Sequence, residues 1–343
     1  LTLELENGQQ LLVEHWLRVL PGQRYVAQAQ WQGRTVLVKL LLGSKAARQL
    51  TRETVGAQLL IDQQINSAAL LGSELQTDGS AYVLFEFIEQ AQSLNQAWQA
   101  CAAEPPLSER QTEVLGSALG IIAQMHLRGL WQSDLHLDNL LHKDQQLYVV
   151  DGGGVQSEHA GQPLSEEQVI DNLAVFFAQL PSALDEHLEM LLMYYLMANG
   201  EHALRLEKLQ KRITGIRQWR VKDYLNKAGR DCSLFSAKRN AWGLRVVWRA
   251  AQHQLKTLLA DPDAAIDAGH IYKTGGAATV ARVAQGEQLW VVKRYNIKSF
   301  AHWCKRFWRP SRAWHSWLAG HRLMVLGIAT PQPLAVIENR WCG

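Results

Sequence analysis

Cysteine is scarce in this chain. Its four residues, Cys101, Cys232, Cys304 and Cys342, form no C-x-x-C pair and no Cys/His cluster at zinc spacing. That excludes a disulfide-stapled scaffold and a zinc module, and predicts reduced thiols in a cytosolic protein. Long hydrophobic runs are missing too: none approaches the roughly 18 unbroken apolar residues of a membrane span. The most apolar stretch, "MLLMYYLMA" (Met190 to Ala198), is too short for one and reads as a core helix. Low-complexity sequence is absent, and moderate charge excludes a disordered chain. The first residue is Leu1 rather than Met, which leaves the upstream end, and any targeting signal there, open.

What the chain does have is length for about two domains and an uneven charge. Residues 1–200 hold 10 Lys+Arg against 23 Asp+Glu, whereas residues 201–343 hold 25 against 9. A basic second half suits an anionic surface: nucleic acid, lipid headgroups or phosphorylated glycan. Internal complementarity between the halves is the alternative.

Periodicity sets out the elements. "QRYVAQAQWQGRTVLVKLLL" (Gln23 to Leu42) alternates apolar and polar residues around Gln32-Gly33, a hairpin, with an earlier turn at Pro21-Gly22. A helix follows over Ser44 to Ile65, with Ser44 as its cap, then a buried strand over Ala81 to Glu89. Ser108 and Gln111 form a capping box for a helix ending near Gly129. Past "QSDLHLDNLL" (Gln132 to Leu141) comes a hairpin turning at Lys143-Asp144 and ending in Asp151 and three glycines. Two more helices fall at Ser165 to Leu180 and Ser182 to Ala198, and the basic stretch Leu204 to Lys256 also reads as helical. From His270 to Asn296 the strand, glycine-turn, strand-Lys layout returns, followed by a helix at "WHSWLAGHRLMVLG", so the chain holds a weak internal repeat.

The polar residues of the first 172 positions fall into an order with chemical meaning. Phosphoryl transfer from ATP needs a lysine on the phosphates, oxygen ligands for Mg²⁺, and an aspartate that orients the acceptor. Lys39 ends the strand "TVLVKLL", Glu53 lies in the next helix to pair with it, and Asp134 is the candidate base. Asn139, five residues on, and Asp151, at the end of "LYVVDGG", are candidate ligands for Mg²⁺, a hard ion that prefers oxygen. Taken singly, each has a plain explanation: an edge-strand lysine, a solvated helix glutamate, loop residues bonding backbone, a turn. Order, spacing and secondary-structure context together favour the kinase-like reading.

"SDLHLDNLL" followed by "VVDGG" resembles the D-L-H-x-x-N loop of the aminoglycoside-phosphotransferase-like kinases and of the lipopolysaccharide kinases. "VVKRYN", and then "SRAWHSWLAGHRLMVLGIATPQPLAVIE", resembles the N-lobe of kinases acting on the Kdo or heptose of lipopolysaccharide core. The resemblance implies an α+β, bilobal protein-kinase-like fold: a β-rich N-lobe over 1–90, a helical C-lobe over 91–260, and a second, incomplete kinase-like N-lobe over 261–343. A chain running on past Gly343 is expected to supply the second unit's catalytic loop. The resemblance also implies ATP with Mg²⁺ as cofactors and adenine on the backbone of Glu86 to Ile88. Gly22 would lie over the phosphates, Asp171 would be a buried helix aspartate steadying the catalytic loop, and Lys293 the second unit's phosphate lysine.

The stretch Lys293 to Trp317 holds seven Lys and Arg, several Trp and Phe, and no acid. Such segments favour anionic interfaces, here the cytoplasmic face of the inner membrane, or else fill a core. Nucleic acid is not expected, since no module for it is recognisable. The function implied is transfer of phosphate from ATP to an inner-core sugar hydroxyl, with lipopolysaccharide precursor as partner. Gln132 before Ser133, the single glycine of the first loop and the missing acidic partner of Lys293 keep a pseudokinase scaffold open. The acidic first half does the same for an aminoglycoside-type phosphotransferase.

Overall fold

The computed structural model of the chain describes residues 1–5, 8–240, 243–296 and 309–339. It is a mixed α+β structure in two compact units, Leu1–Arg217 and Gln218–Gly343.

The first unit opens with a sheet. Its strands are β1 (Thr2–Glu4), β2 (Gln10–Leu20), β3 (Arg24–Trp31) and β4 (Arg34–Leu41), with helix α1 (Ala46–Asp62) before β5 (Leu70–Leu75) and β6 (Ala81–Glu86). The order is β1-β2-β3-β4-β6-β5, and every pairing is antiparallel. Side chains alternate across a strand, so β4 sends Val36 and Val38 to one core, with Leu11, Ala27, Ala29 and Leu84. Leu37 and Leu41 go to the other face, under Ala46 and Ala57 of α1 and beside Val83 and Phe85 of β6. Lys39 has the parity of Leu37 and Leu41, which places it beneath α1. The buried residues of α1 are Ala46, Glu53, Gly56, Ala57 and Leu60, spaced for one helical face, so Glu53 points at the same layer. The helix starts after Lys45, which makes no side-chain cap, rather than on Ser44.

The rest of this unit is mainly helical: β7 (Gln92–Ser93), α2 (Leu94–Cys101), α3 (Glu109–Leu127), β8 (Leu130–Gln132), β9 (Leu140–Lys143), β10 (Gln146–Val149), β11 (Val155–Ser157), α4 (Glu166–Phe177) and α5 (Leu188–Ala198). One continuous core joins them, with Leu115, Leu119 and Ile122 of α3 against Leu173 of α4 and Leu191 of α5. Ser108 caps α3 through its hydroxyl, and Gln111 reaches back to the Leu107 amide. The hairpin β9-β10 turns on Asp144 and Gln145, both with positive φ, one residue later than the Lys143-Asp144 expectation. Helix α5 is core on one side only. Leu188, Leu191, Leu192 and Tyr195 are buried, while Met190, Met193 and Met197 are exposed.

Helix α6 (Leu206–Lys227) ends the helical part of the basic stretch, well short of the Lys256 expected from its composition. Strands β12 (Phe235–Asn240) and β13 (Gly243–Trp248) follow instead. In β13, Leu244 and Val246 pack into one core with Phe235 and Trp317, while Val247 goes to another, and this period of two overrides the helical reading. After α7 (Pro262–Asp267) come β14 (His270–Lys273), β15 (Ala278–Gln285), β16 (Gln288–Tyr295), α8 (Arg312–Val325) and β17 (Ala335–Asn339). Strands β14, β15 and β16 form one sheet and β12, β13 and β17 another. The hairpin-Lys-helix layout of β3, β4 and α1 therefore recurs in β15, β16 and α8. Its closing strand differs: β6 pairs with the lysine strand β4, whereas β17 pairs with β13. The sheet β12-β13-β17 also draws on residues on both sides of position 260. Residues 297–308 of the Trp-rich stretch lie outside the described residues. Trp317 within it is a core residue, 3% exposed, its indole N–H donating to Ala228 O at 2.9 Å.

Candidate active site

Lys39 is the centre of the site. Its ammonium lies 2.7 Å from Glu53 Oε2 and 2.7 Å from Asp151 Oδ1, and lysine and glutamate are 6% and 4% exposed. A buried charge must be paired, and this one is paired twice, once from α1 and once across 112 residues of sequence. Glu53 also accepts from the Gly153 amide at 3.2 Å, and Arg24 stands 4.0 Å from its other oxygen. Burial pushes the Asp151 carboxyl up, but Lys39, with help from Arg24 and His136, outweighs it and holds the group below its ordinary value. Asp151 is therefore an anion at neutral pH.

Asp151 stands in the left-handed region, at φ 64° and ψ 60°. Such a backbone is uncommon outside glycine and is held only where surroundings over-determine it. Gln132 supplies part of that hold. It is fully buried, and its side-chain amide donates to Val150 O at 2.9 Å and Asp151 O at 3.1 Å. Glycines supply the rest. A Cβ on Gly56 would sit 1.8 Å from Gly152 O, so α1 and the segment after Asp151 meet backbone to backbone.

The loop from Ser133 to Asn139 is anchored at both ends. Ser133 N–H donates to Gly154 O at 2.8 Å, and β8 pairs with β11. Asn139 is 6% exposed; its amide donates to Asp134 O at 2.8 Å, which leaves its Oδ1 as an acceptor. Asp134 is 77% exposed, and among the described residues its carboxylate has only His136 Nε2 in ion-pair range, at 3.7 Å. Asn172 of α4 reaches under the loop and donates to Gln132 O at 2.7 Å. Its Oδ1 faces His126 Nε2 at 3.0 Å, and His126 Nδ1 faces Tyr195 Oη at 3.1 Å. Because the Asn172 oxygen can only accept, His126 carries its proton on Nε2, and its Nδ1 accepts from the tyrosine. Burial lowers the His126 pKa to about 4, against the opposing effect of Asn172, so this imidazole is neutral.

Asp171 departs from expectation. It is not buried beneath the loop: its side chain is 42% exposed and pairs with Arg212 at 2.9 Å. The neighbouring Asn172, 2% exposed and one 100° helical step on, makes the loop contact instead. Gly22 sits in the turn between β2 and β3 with φ 71°, in open space: a Cβ there would meet no atom within 4 Å. At the end of β6, the Glu86 N–H is taken by Ala69 O and Ile88 O accepts from Ala91 N–H. The Ile88 N–H has no hydrogen bond among the described residues. Lys293 on β16 is exposed, stacks over the Tyr295 ring at 4.9 Å and has no carboxylate in ion-pair range among the described residues.

The donor set suits Mg²⁺ rather than a soft metal. Asn139 Oδ1 and the Asp151 carboxylate are hard oxygens, and Mg²⁺ takes one or two such protein ligands with water and substrate phosphate completing its shell. No cluster of three or more His, Cys, Asp or Glu fit to hold a metal occurs among the described residues, and no helix among them is long and apolar enough to cross a membrane.

No protein-family model and no curated protein matches the chain. Among solved structures, WaaP in complex with acyl carrier protein is similar at 16% identity and a TM-score of 0.44, covering 62% of this chain and 88% of that one.

Proposed function

We propose that the chain is an ATP- and Mg²⁺-dependent phosphotransferase whose acceptor is a sugar hydroxyl of lipopolysaccharide inner core, heptose or Kdo. One observation carries the phosphotransfer reading: a buried lysine on a sheet held at 2.7 Å by a helix glutamate and by a distant aspartate. Lysine in that setting is a fixed cation for nucleotide phosphates, and the carboxylates fix its position before nucleotide arrives. The sugar acceptor rests on the sequence resemblance of the loop and of the segment Ser311 to Glu338.

The residues divide the work. Lys39 steadies the phosphates, and Glu53 keeps Lys39 in place. Ile88 offers its free N–H to the adenine edge, and the Gly22 turn lies over the phosphates. Asn139 and Asp151 would hold Mg²⁺, which would supply charge neutralisation for the transferring group. Asp134, exposed and free of strong partners, orients the acceptor hydroxyl and takes its proton. Gln132 and Asn172 hold loop and metal ligand in register from below. The second unit's Lys293, by this assignment the counterpart of Lys39, faces solvent, and the basic segment around it suits peripheral contact with anionic lipid at the cytoplasmic face of the inner membrane.

The test is mass spectrometry of core oligosaccharide from cells with and without the gene, paired with a thermal shift on ATP and Mg²⁺. A core phosphate that depends on the gene, with stabilisation of about 2.7 kcal/mol at 100 times Kd, supports the proposal. Unchanged core with no shift removes it in favour of a scaffold. A shift with unchanged core moves the acceptor to another small molecule.

A further inference from the structure

Arg24 stands at the head of β3, directly after the turn that holds Gly22. Its cross-strand partner on β4 is Leu41, and Val26, two residues on, is the partner of Lys39. Residues two apart on a strand share a face, and so do residues directly opposite each other. The guanidinium therefore leaves the sheet on the same side as the Lys39 ammonium. Its Nη1 lies 4.0 Å from Glu53 Oε1, the oxygen that Lys39 does not hold. Its charge also reaches the Asp151 carboxylate. The side chain is 24% exposed, yet it donates no hydrogen bond among the described residues.

An arginine presents five N–H donors in a planar fork and keeps its charge at any physiological pH. Partly buried donors of this kind normally find partners. The acceptors that match the fork are carboxylate and phosphate. Both nearby carboxylates are already committed to Lys39 at 2.7 Å. Lys39 thus shares its charge between two anions, and Arg24 is the less committed cation. The backbone beside it offers little to an anion. In the turn, Pro21 has no N–H, and the Gln23 N–H is taken by Leu20 O at 3.0 Å. Among the described residues of that turn, Gly22 alone keeps an amide for a ligand, in open space at φ 71°. A loop this poor in free amides cannot cradle phosphate as a run of backbone N–H groups does. A side chain with five donors stands where such a run is missing.

We propose that Arg24 is a phosphate-binding residue, whose guanidinium takes two oxygens of a nucleotide's outer phosphates beside Lys39, in place of backbone amides from the turn between β2 and β3. That the phosphates belong to a nucleotide rests on the phosphotransfer reading above; the anion class rests on the geometry of Arg24. The guanidinium gives up only its 4.0 Å approach to Glu53, which keeps Lys39 and the Gly153 amide. Arg24 then adds affinity for phosphates and none for the nucleoside.

Calorimetric titrations of the full chain with ATP and Mg²⁺, with adenosine and with inorganic tripolyphosphate test it. Arg24→Gln is expected to weaken ATP and tripolyphosphate about tenfold or more, as loss of charge-assisted hydrogen bonds does, and to leave adenosine unchanged. Arg24→Lys keeps the charge without the fork and should recover part of the loss. Arg34→Gln, at an exposed position at the other end of the same hairpin, changes nothing. A residue that merely braces Glu53 is told apart in a Glu53→Gln background, where the Arg24→Gln loss should persist. Wild-type affinity for tripolyphosphate in both Arg24 variants, an equal loss on adenosine, or a loss that vanishes with Glu53→Gln overturns the proposal. Arg24-dependent binding of tripolyphosphate without binding of ATP upholds it and removes the nucleotide reading. ATP binding indifferent to Arg24 does the reverse, and no binding of either ligand overturns both.

Discussion

Replacing Lys39 with methionine keeps most of the side-chain volume and removes the charge. Glu53 would then be a carboxylate 4% exposed, with only the Gly153 amide at 3.2 Å and the Arg24 guanidinium at 4.0 Å. Breaking a buried ion pair from one side costs about 3–5 kcal/mol, most of it the penalty of the charge left behind. The two surviving contacts put the expected loss near the low end, about 3 kcal/mol. Glu53→Leu should cost less, about 1–2 kcal/mol, because Lys39 keeps Asp151 at 2.7 Å, and Asp151 is 37% exposed and partly solvated. In Lys39→Met/Glu53→Leu neither buried charge remains. That variant should recover to within about 1 kcal/mol of wild type, a coupling of roughly 3 kcal/mol or more.

The assay must follow the first unit alone. Cys101 is 1% exposed in that unit's core, and burial pushes its thiol pKa up, so it reacts only when the core opens. Urea-dependent alkylation of Cys101, read by peptide mass spectrometry, gives the stability of its surroundings. Single-variant losses below about 0.5 kcal/mol that add in the double variant would refute the claim that Lys39 and Glu53 are a desolvated pair.

Asp134→Asn should slow phosphoryl transfer by about 10²–10⁴-fold, the usual range for a lost general base; turnover assays check it, and near-normal turnover removes the role. Gly56→Ala, in an ordinary helix a gain of about 0.5–1 kcal/mol, should destabilise here, since its Cβ would meet Gly152 O at 1.8 Å; the Cys101 alkylation midpoint reports the sign. Acid should destabilise the first unit well before carboxylates titrate. His126 has a folded pKa of about 4 against 6.5 unfolded, so the unfolded chain binds the extra proton between those values. His126's contribution is then full above about pH 6.5 and shrinks by up to about 3 kcal/mol as pH falls to 4. A urea midpoint flat between pH 7 and 4.5 would contradict this.

Some of this architecture is written in local pattern and some is not. The β3-β4 hairpin was legible because Gln32-Gly33 interrupts strict alternation, and parity on β4 then settles which face Lys39 occupies. The helix-sheet juxtaposition of Glu53 with Lys39 follows from a spacing of fourteen residues and one turn between them. The hairpin β12-β13 was not legible, because Lys and Arg at its exposed positions make residues 235–248 continuous in composition with the basic helix before it. Only burial of Phe235, Leu244 and Val246 tells them apart, and burial is a tertiary property. The pairing of β17 with β13 is a contact across roughly 90 residues, which no window of sequence contains.

The candidate site shows the same division at finer scale. Lys39, Glu53 and Asp151 were found because their order, spacing and secondary-structure context match a strand lysine, a helix glutamate after it and an aspartate closing a later hairpin. The residues that hold them were missed, because they are uncharged. Gln132 looked like a departure, yet its buried amide holds the carbonyls of Val150 and Asp151, as a side chain with two N–H donors can. Asn172 was passed over for the charged Asp171 beside it, although a buried amide costs far less to desolvate than a carboxylate without a cation. With no lysine or arginine among its hydrogen-bond partners under the loop, an amide is the group that can serve there, donating to Gln132 O and accepting from His126. Gly56 and Gly152 carried no polar signal at all; what identifies them is the missing Cβ that lets α1 touch the segment behind Asp151. Charge thus marks where chemistry is proposed, and the neutral amides and glycines around it determine whether those charges meet.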